Sequence, residues 1–310
     1  MYLENNNNNT IFDDIFRTTL EKIPQLIIPL VNEVYGTSYP MNTPVTQYHN
    51  EFHTLRGEKI TDSHLGVNQQ RYHIECQSTS DSHIHIRMLE YDTAIGIETL
   101  TSTAEQNHMY YPHSCILFLR GTQSVKTKQI TIHFPNGTSI LYTPSVIYLQ
   151  RYSLEEIFQK RLLFLLPFYI IKYEKEKLTL TDNPSRLQTL LDEYTFMKQS
   201  LNHEPLFYEH DELYRYMIDL INRTINYIFA GNEPVRKGLS DIMGGKVLEL
   251  ETDRIIQKAT DAERENGIRI MISISQEDKI PPEKLLHRLC TNYNLSQSRA
   301  EEYIKKYSQV

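Results

Sequence analysis

A change of hydropathy period divides this 310-residue chain. From about Val45 to Leu149 apolar and polar residues alternate in short runs: Glu51 to Arg56, Ile60 to Gly66, Arg71 to Thr79, Ser114 to Arg120, Gln129 to Phe134 and Ser139 to Leu149. That period of two is the signature of half-buried strands. Pro135-Asn136-Gly137 supplies a hairpin turn between two of them. From Ser185 to Val310 the apolar residues recur instead at helical spacing, with a joint at Gly244-Gly245. Ahead of the strands, Ile11 to Tyr35 is a helix broken at Pro24 and stopped at Gly36, with Phe12, Ile15, Phe16 and Leu20 on one side. A further helix interrupts the strands after the N-cap residues Asp81-Ser82 and runs to about Gly96. Strands gathered in the middle with helices around them predict an α+β core followed by a helical extension.

Ser153-Leu154-Glu155-Glu156 is a capping box that opens another helix. The apolar stretch Leu162 to Ile171 is half the length of a membrane span and contains Pro167, so it reads as a buried segment. The charged run Lys172 to Lys177 marks a solvated boundary. The Asn-rich start, residues 1–10, reads as a disordered lead-in without the pattern of a signal peptide. No membrane association is expected.

A formal net charge of -7 gives no global basic field for nucleic acid. That weighs against a coat or architectural protein and leaves room for an enzyme with a local patch or a metal ion. Cys76, Cys115 and Cys290 are far apart and form no CxxC, which argues against a disulfide framework or a zinc ribbon. A cytoplasmic setting is the expectation.

The chemistry is concentrated in Arg71 to Thr79. Alternation puts Tyr72, Ile74, Cys76 and Ser78 on one face and His73, Glu75, Gln77 and Thr79 on the other. A turn centred between Asn68 and Gln69 pairs residues whose numbers sum to 137, which sets Asp62, in the preceding strand, opposite Glu75 on the same face. Two carboxylates then converge with no basic partner nearby in sequence. Like charges at that distance need a cation between them or a proton on one of them. Oxygen-only sites of this kind suit Mg²⁺ or Mn²⁺. Gln77 would orient a water or touch a phosphate. A solvated polar face of a hairpin is the alternative.

Asp62, the hairpin and Ile74-Glu75-Cys76-Gln77 together resemble the PD-(D/E)XK nuclease superfamily, in the variant with Gln at the last position. The surrounding sequence resembles the Rpn family of recombination-promoting nucleases, also called PD-(D/E)XK family transposases. The stretches that carry it are Leu30 to Gly36, His73 to Ser78, Ser139 to Tyr142, Tyr152 to Phe158 and Leu165 to Ile170, in family order over about residues 11–175. The resemblance implies a restriction-endonuclease-like α/β/α core, a mixed sheet flanked by helices, at 11–175. Beyond it the residues themselves read as a helical extension at 176–245 and a helical tail at 246–310. There Pro281-Pro282, a turn at Tyr293-Asn294-Leu295 and Ser296 capping a last helix read as a plain helical hairpin for packing or self-association, with a DNA-reading helix-turn-helix as the alternative. The resemblance further implies Mg²⁺ or Mn²⁺ held by Asp62, Glu75 and the Cys76 carbonyl, with Glu33 as an additional acidic ligand. Gln77 stands where many members of the superfamily have a catalytic Lys, and Asp62 does not follow a Pro.

Arg87 and Tyr91, four apart on the embedded helix, share a face. Arg87 would clamp a phosphate, or the two form a surface pair. Cys76 reads as a core thiol. The implied activity is Mg²⁺-dependent DNA cleavage in recombination or mobile-element movement. Its rivals are an inactive relative that binds DNA or a protein, and a module whose helical half drives self-association into a homo-oligomer.

Overall fold

Phe12, Ile15, Phe16 and Leu20 are all buried along one side of α1 (Ile11–Lys22). Pro24 has no N–H to continue that helix. The chain makes one 3-10 turn at Pro24–Leu26 and restarts as α2 (Ile27–Tyr35). Gly36, at φ 66°, closes α2 in the left-handed region, its N–H bonded to the Asn32 carbonyl at 2.9 Å. This computed structural model describes residues 11–54, 57–78, 81–103, 106–121, 129–244, 265, 267–276, 280–293, 295 and 297–307, with the backbone alone for 52–54, 57–60 and 298. The lead-in at 1–10 and the strand ends Arg56 and Thr79 lie outside the described residues.

The strands are β1 (Val45–Gln47), β2 (Glu51–Thr54), β3 (Gly57–Ile60), β4 (Leu65–Val67) and β5 (Gln70–Gln77). Then come α3 (Ile84–Glu98), β6 (Thr101–Ser102), β7 (Asn107–His108), β8 (His113–Phe118), β9 (Ile130–His133), β10 (Ser139–Tyr142) and β11 (Ser145–Tyr148). Five of them form one mixed sheet in the order β1-β4-β5-β8-β11. β1, β4 and β5 are antiparallel, whereas β8 and β11 run parallel to β5. A parallel neighbour needs a crossover, and α3 supplies it between β5 and β8.

The strand expected over Ser139 to Leu149 is two strands. β10 pairs with β9 in a separate hairpin, and β11 joins the main sheet. Pro144 lies in the break, where it withholds a ladder donor and lets the chain change sheets.

Tyr72, Ile74 and Cys76 of β5, with Cys115 and Leu117 of β8, enter a large core shared with α1 and α2. On the other face Ile84 and Met88 of α3 meet Ile116, Phe118 and Tyr148. Helices thus flank the sheet on both faces, and the fold is α+β. The capping box of α4 (Leu154–Gln159) is complete, with Ser153 Oγ accepting from the Glu156 N–H at 3.1 Å and Glu156 Oε2 from the Ser153 N–H at 2.8 Å. The apolar stretch after it is a 3-10 run, Leu163–Glu176, buried throughout from Leu163 to Ile171.

α5 (Pro184–His203), α6 (Pro205–Tyr208), α7 (Asp211–Ile228) and α8 (Glu233–Met243) add Tyr194, Met197, Phe207, Ile221, Ile225 and Leu239 to the same core. The chain divides into two compact units, Met1–Gly244 and Gly245–Val310. In the second, α9 (267–276), α10 (Pro282–Tyr293) and α11 (Gln297–Tyr307) close on Ile268, Ile272, Leu285, Leu289 and Ala300. Asn294 and Ser296, between α10 and α11, lie outside the described residues. Among the described residues no helix is long and apolar enough to cross a membrane.

Candidate active site

β4 and β5 are joined by Asn68 and Gln69, both at positive φ (47° and 66°). That is the two-residue turn whose twist fits a hairpin. The pairs Leu65 with Tyr72, Gly66 with Arg71 and Val67 with Gln70 have numbers that sum to 137. Upstream of Leu65 side chains take over the ladder. Ser63 Oγ donates to the Ile74 carbonyl at 2.8 Å and accepts from its N–H at 2.9 Å. Asp62 Oδ2 accepts from the Cys76 N–H at 2.9 Å, and Glu75 Oε1 accepts from the Asp62 N–H at 2.9 Å. Asp62 therefore sits outside a strand, in the break between β3 and β4, where a strand was expected over Ile60 to Gly66. The alignment survives because its side chain does what a backbone carbonyl would have done.

The polar face of β5 is not solvated. His73 is 0%, Glu75 3% and Gln77 8% exposed. Nor is the acidic pair without basic partners, as sequence neighbourhood suggested. α1 brings Arg17 Nη2 to 3.1 Å from Asp62 Oδ1, and α3 brings Arg87 Nη2 to 3.8 Å from Glu75 Oε2. His73 Nε2 is 3.1 Å from Glu75 Oε1. A common pattern follows. One oxygen of each carboxylate is tied down inside, and the other faces an arginine that is about a third exposed.

Burial, then the charges of Glu75 and Asp13, push the Asp62 carboxyl up to about 8, against the Cys76 N–H and Arg17, which pull it down. Burial alone would lower the His73 imidazole. Its hydrogen bonds to Asp92 and Glu75 outweigh that and hold it at about 9. His73 Nδ1 is 2.6 Å from Asp92 Oδ1, and Asp92 Oδ2 accepts from Tyr142 at 2.5 Å and from Ser114. Sequence reading missed Asp92. The signal was there, because Met88, Asp92 and Ile95 share one helical face and an acid interrupts an apolar stripe.

Arg87 and Tyr91 face the acidic pair rather than solvent alone. Arg87 also donates to Asp81 at 3.0 Å. The Tyr91 ring lies edge-on to His73, 5.7 Å between centroids, and burial followed by Glu75 raises its hydroxyl to about 12. Gln77 Nε2 turns back to donate to the Cys76 carbonyl at 2.9 Å. Cys76 is a core thiol, raised well above its ordinary range by burial. Glu33 binds Lys160 and Tyr152 at 2.5 and 3.1 Å, and the structure does not group it with Asp62 and Glu75. The first helix contributes through α1 instead. Asp13 and Arg17, one turn apart, both act on Asp62.

In donor chemistry the site suits a hard cation, with two carboxylates and the Cys76 carbonyl, all oxygen. Among the described residues no group of three or more His, Cys, Asp or Glu side chains could hold a metal ion, so water would have to complete the set. Burial and the neighbouring carboxylates hold Asp62 at about 8 even with Arg17 beside it, and a divalent ion on its outer oxygen would favour the ionised form. No family model matches the chain, nor does any curated protein or any solved structure.

Proposed function

We propose that the chain is a metal-dependent DNA endonuclease of the Rpn type within the PD-(D/E)XK superfamily, working in the cytoplasm in recombination or mobile-element movement. One observation carries this reading. Asp62 and Glu75 are buried against each other, yet each turns one oxygen to the rim, Oδ1 and Oε2 respectively. Asp62, Glu75 and the Cys76 carbonyl would hold Mg²⁺ or Mn²⁺. Bound there, the ion would supply an activated water and offset charge developing on a phosphate.

The chain's own residues do the rest. Arg17 and Arg87 stand at the rim with about a third of each side chain exposed, and the outer N–H groups of each guanidinium would take a phosphate oxygen. Tyr91, itself buried, packs edge-on against His73 beside the site. Gln77 holds the Cys76 carbonyl in place.

A supercoiled plasmid incubated with Mg²⁺ tests the reading. Wild type nicks or linearises it, and Asp62→Ala falls to the level of buffer. Equal cleavage by both proteins would sink the mechanism.

A second reading is favoured by Arg17 on Asp62 and by the Gln77 amide on the Cys76 carbonyl, since both occupy oxygens a metal would use. In it the chain is an inactive relative that binds DNA or a protein through the same rim. Salt-sensitive DNA binding without heat on titration with Mg²⁺ or Mn²⁺ would select it.

A further inference from the structure

We propose that His73 and Asp92 are positioning residues, a buried hydrogen-bonded relay that holds the Glu75 carboxylate in one orientation with Oε2 turned to the rim. The inference rests on the nuclease reading of Asp62 and Glu75.

The relay is not something the fold needs in order to close. A few residues away on α3, Ile84 and Met88 seal the same sheet face with hydrocarbon against Ile116 and Phe118. Ionic groups withdrawn from water are often no more stabilising than apolar residues of similar volume. Yet His73 and Asp92 are both 0% exposed. Both imidazole nitrogens face carboxylate oxygens, at 2.6 Å on Asp92 and 3.1 Å on Glu75. Asp92 is in turn anchored by β8 through Ser114 and by β10 through Tyr142. Three elements thus fix the ring that fixes Glu75.

A glutamate side chain has three rotatable bonds, and among the described residues only the Asp62 N–H otherwise hydrogen-bonds its inner oxygen. With the relay in place the inner oxygen of Glu75 is held by His73 as well as by the Asp62 N–H, and the second oxygen stays turned toward Arg87 at the rim. The cost of orienting a ligand is then met during folding rather than on binding.

Calorimetric titration of Mn²⁺ into the full-length protein tests this, with thermal melting in parallel. His73→Gln and Asp92→Asn should weaken Mn²⁺ binding by about 10–100-fold, and Tyr142→Phe should weaken it less but measurably. Ile225→Ala, a core truncation in α7, should lower the melting temperature and leave the affinity alone. Lower melting temperatures in the relay variants with unchanged Mn²⁺ affinity would overturn the inference and leave the site standing. Failure of wild type to take Mn²⁺ would overturn the nuclease reading and this inference with it. If His73→Gln and Asp92→Asn do not fold, Tyr142→Phe decides alone, because its position is only partly buried.

Discussion

The two faces of β5 are equally dry and chemically opposite. Tyr72, Ile74 and Cys76 point into the main core at 2% exposure or less, while His73, Glu75 and Gln77 lie under α3 at 8% or less. The apolar face needs only shape and volume to be stable. The polar face needs a partner for every atom: His73 finds Asp92 of α3, which β8 and β10 anchor in turn, and Glu75 finds the Asp62 N–H. The lesson is that the first face supports the fold and the second is organised around two carboxylate oxygens that reach the rim.

Truncation is the strongest way to break that contrast. Asp92→Ala leaves His73, Ser114 and Tyr142 short of a partner and should cost about 3–5 kcal/mol. Ile74→Ala removes hydrocarbon alone and should cost about 2–4 kcal/mol. Urea unfolding measures both, and an Asp92→Ala loss well below that of Ile74→Ala would refute the assignment of the relay as a set of mutually dependent charges.

The next effect depends on pH. The Asp62 carboxyl titrates at about 8 in the fold against an ordinary 3.8, so the folded state holds that proton more tightly than the unfolded chain. Stability contributed by the protonated form is present at low pH and is lost as pH rises toward 8. His73, raised from 6.5 to about 9, has the same sign, and its contribution disappears as pH passes 9. The melting temperature of wild type should fall as pH rises from about 4 to about 9, the ordinary value of the Asp62 carboxyl and the raised value of the His73 imidazole marking the ends of this window. Asp62→Asn should flatten the lower part of the fall, and parallel curves for the two proteins would contradict the burial of a charged pair.

The smallest effect on stability belongs to the rim. Arg87 is over a third exposed, so Arg87→Gln should change stability by no more than about 0.5–1 kcal/mol. Under the nuclease reading it should nonetheless weaken duplex DNA binding and lower the slope of log affinity against log salt by about 1. Fluorescence anisotropy at several salt concentrations measures this, and an unchanged slope would remove Arg87 from the phosphate contacts.

What was legible in the sequence was local. The Asn68-Gln69 turn fixed the register of β4 and β5, and the alternation along β5 sorted its two faces correctly. Reading failed where distant segments meet. Arg17 is 45 residues from Asp62, and nothing in the neighbourhood of Asp62 announces it. The polar face of β5 admitted a solvated reading because period two says which residues share a face and not what covers it. Glu33 looked like the acid of the first helical element, but α2 turns it to Lys160. The Asp13 and Arg17 pair, at i and i+4 beside the apolar stripe of α1, was the available clue. The break of β10 from β11 at Pro144 was visible as a proline, although the change of sheet was not.

The central claim is that Asp62 and Glu75 are a cation site. Diffraction data collected at the manganese edge from crystals soaked in Mn²⁺ test it directly. The account predicts one strong anomalous peak roughly 2.2 Å from Asp62 Oδ1 and Glu75 Oε2, with Arg17 withdrawn from Asp62. No peak at saturating Mn²⁺, with Arg17 still bonded to Asp62, would contradict it.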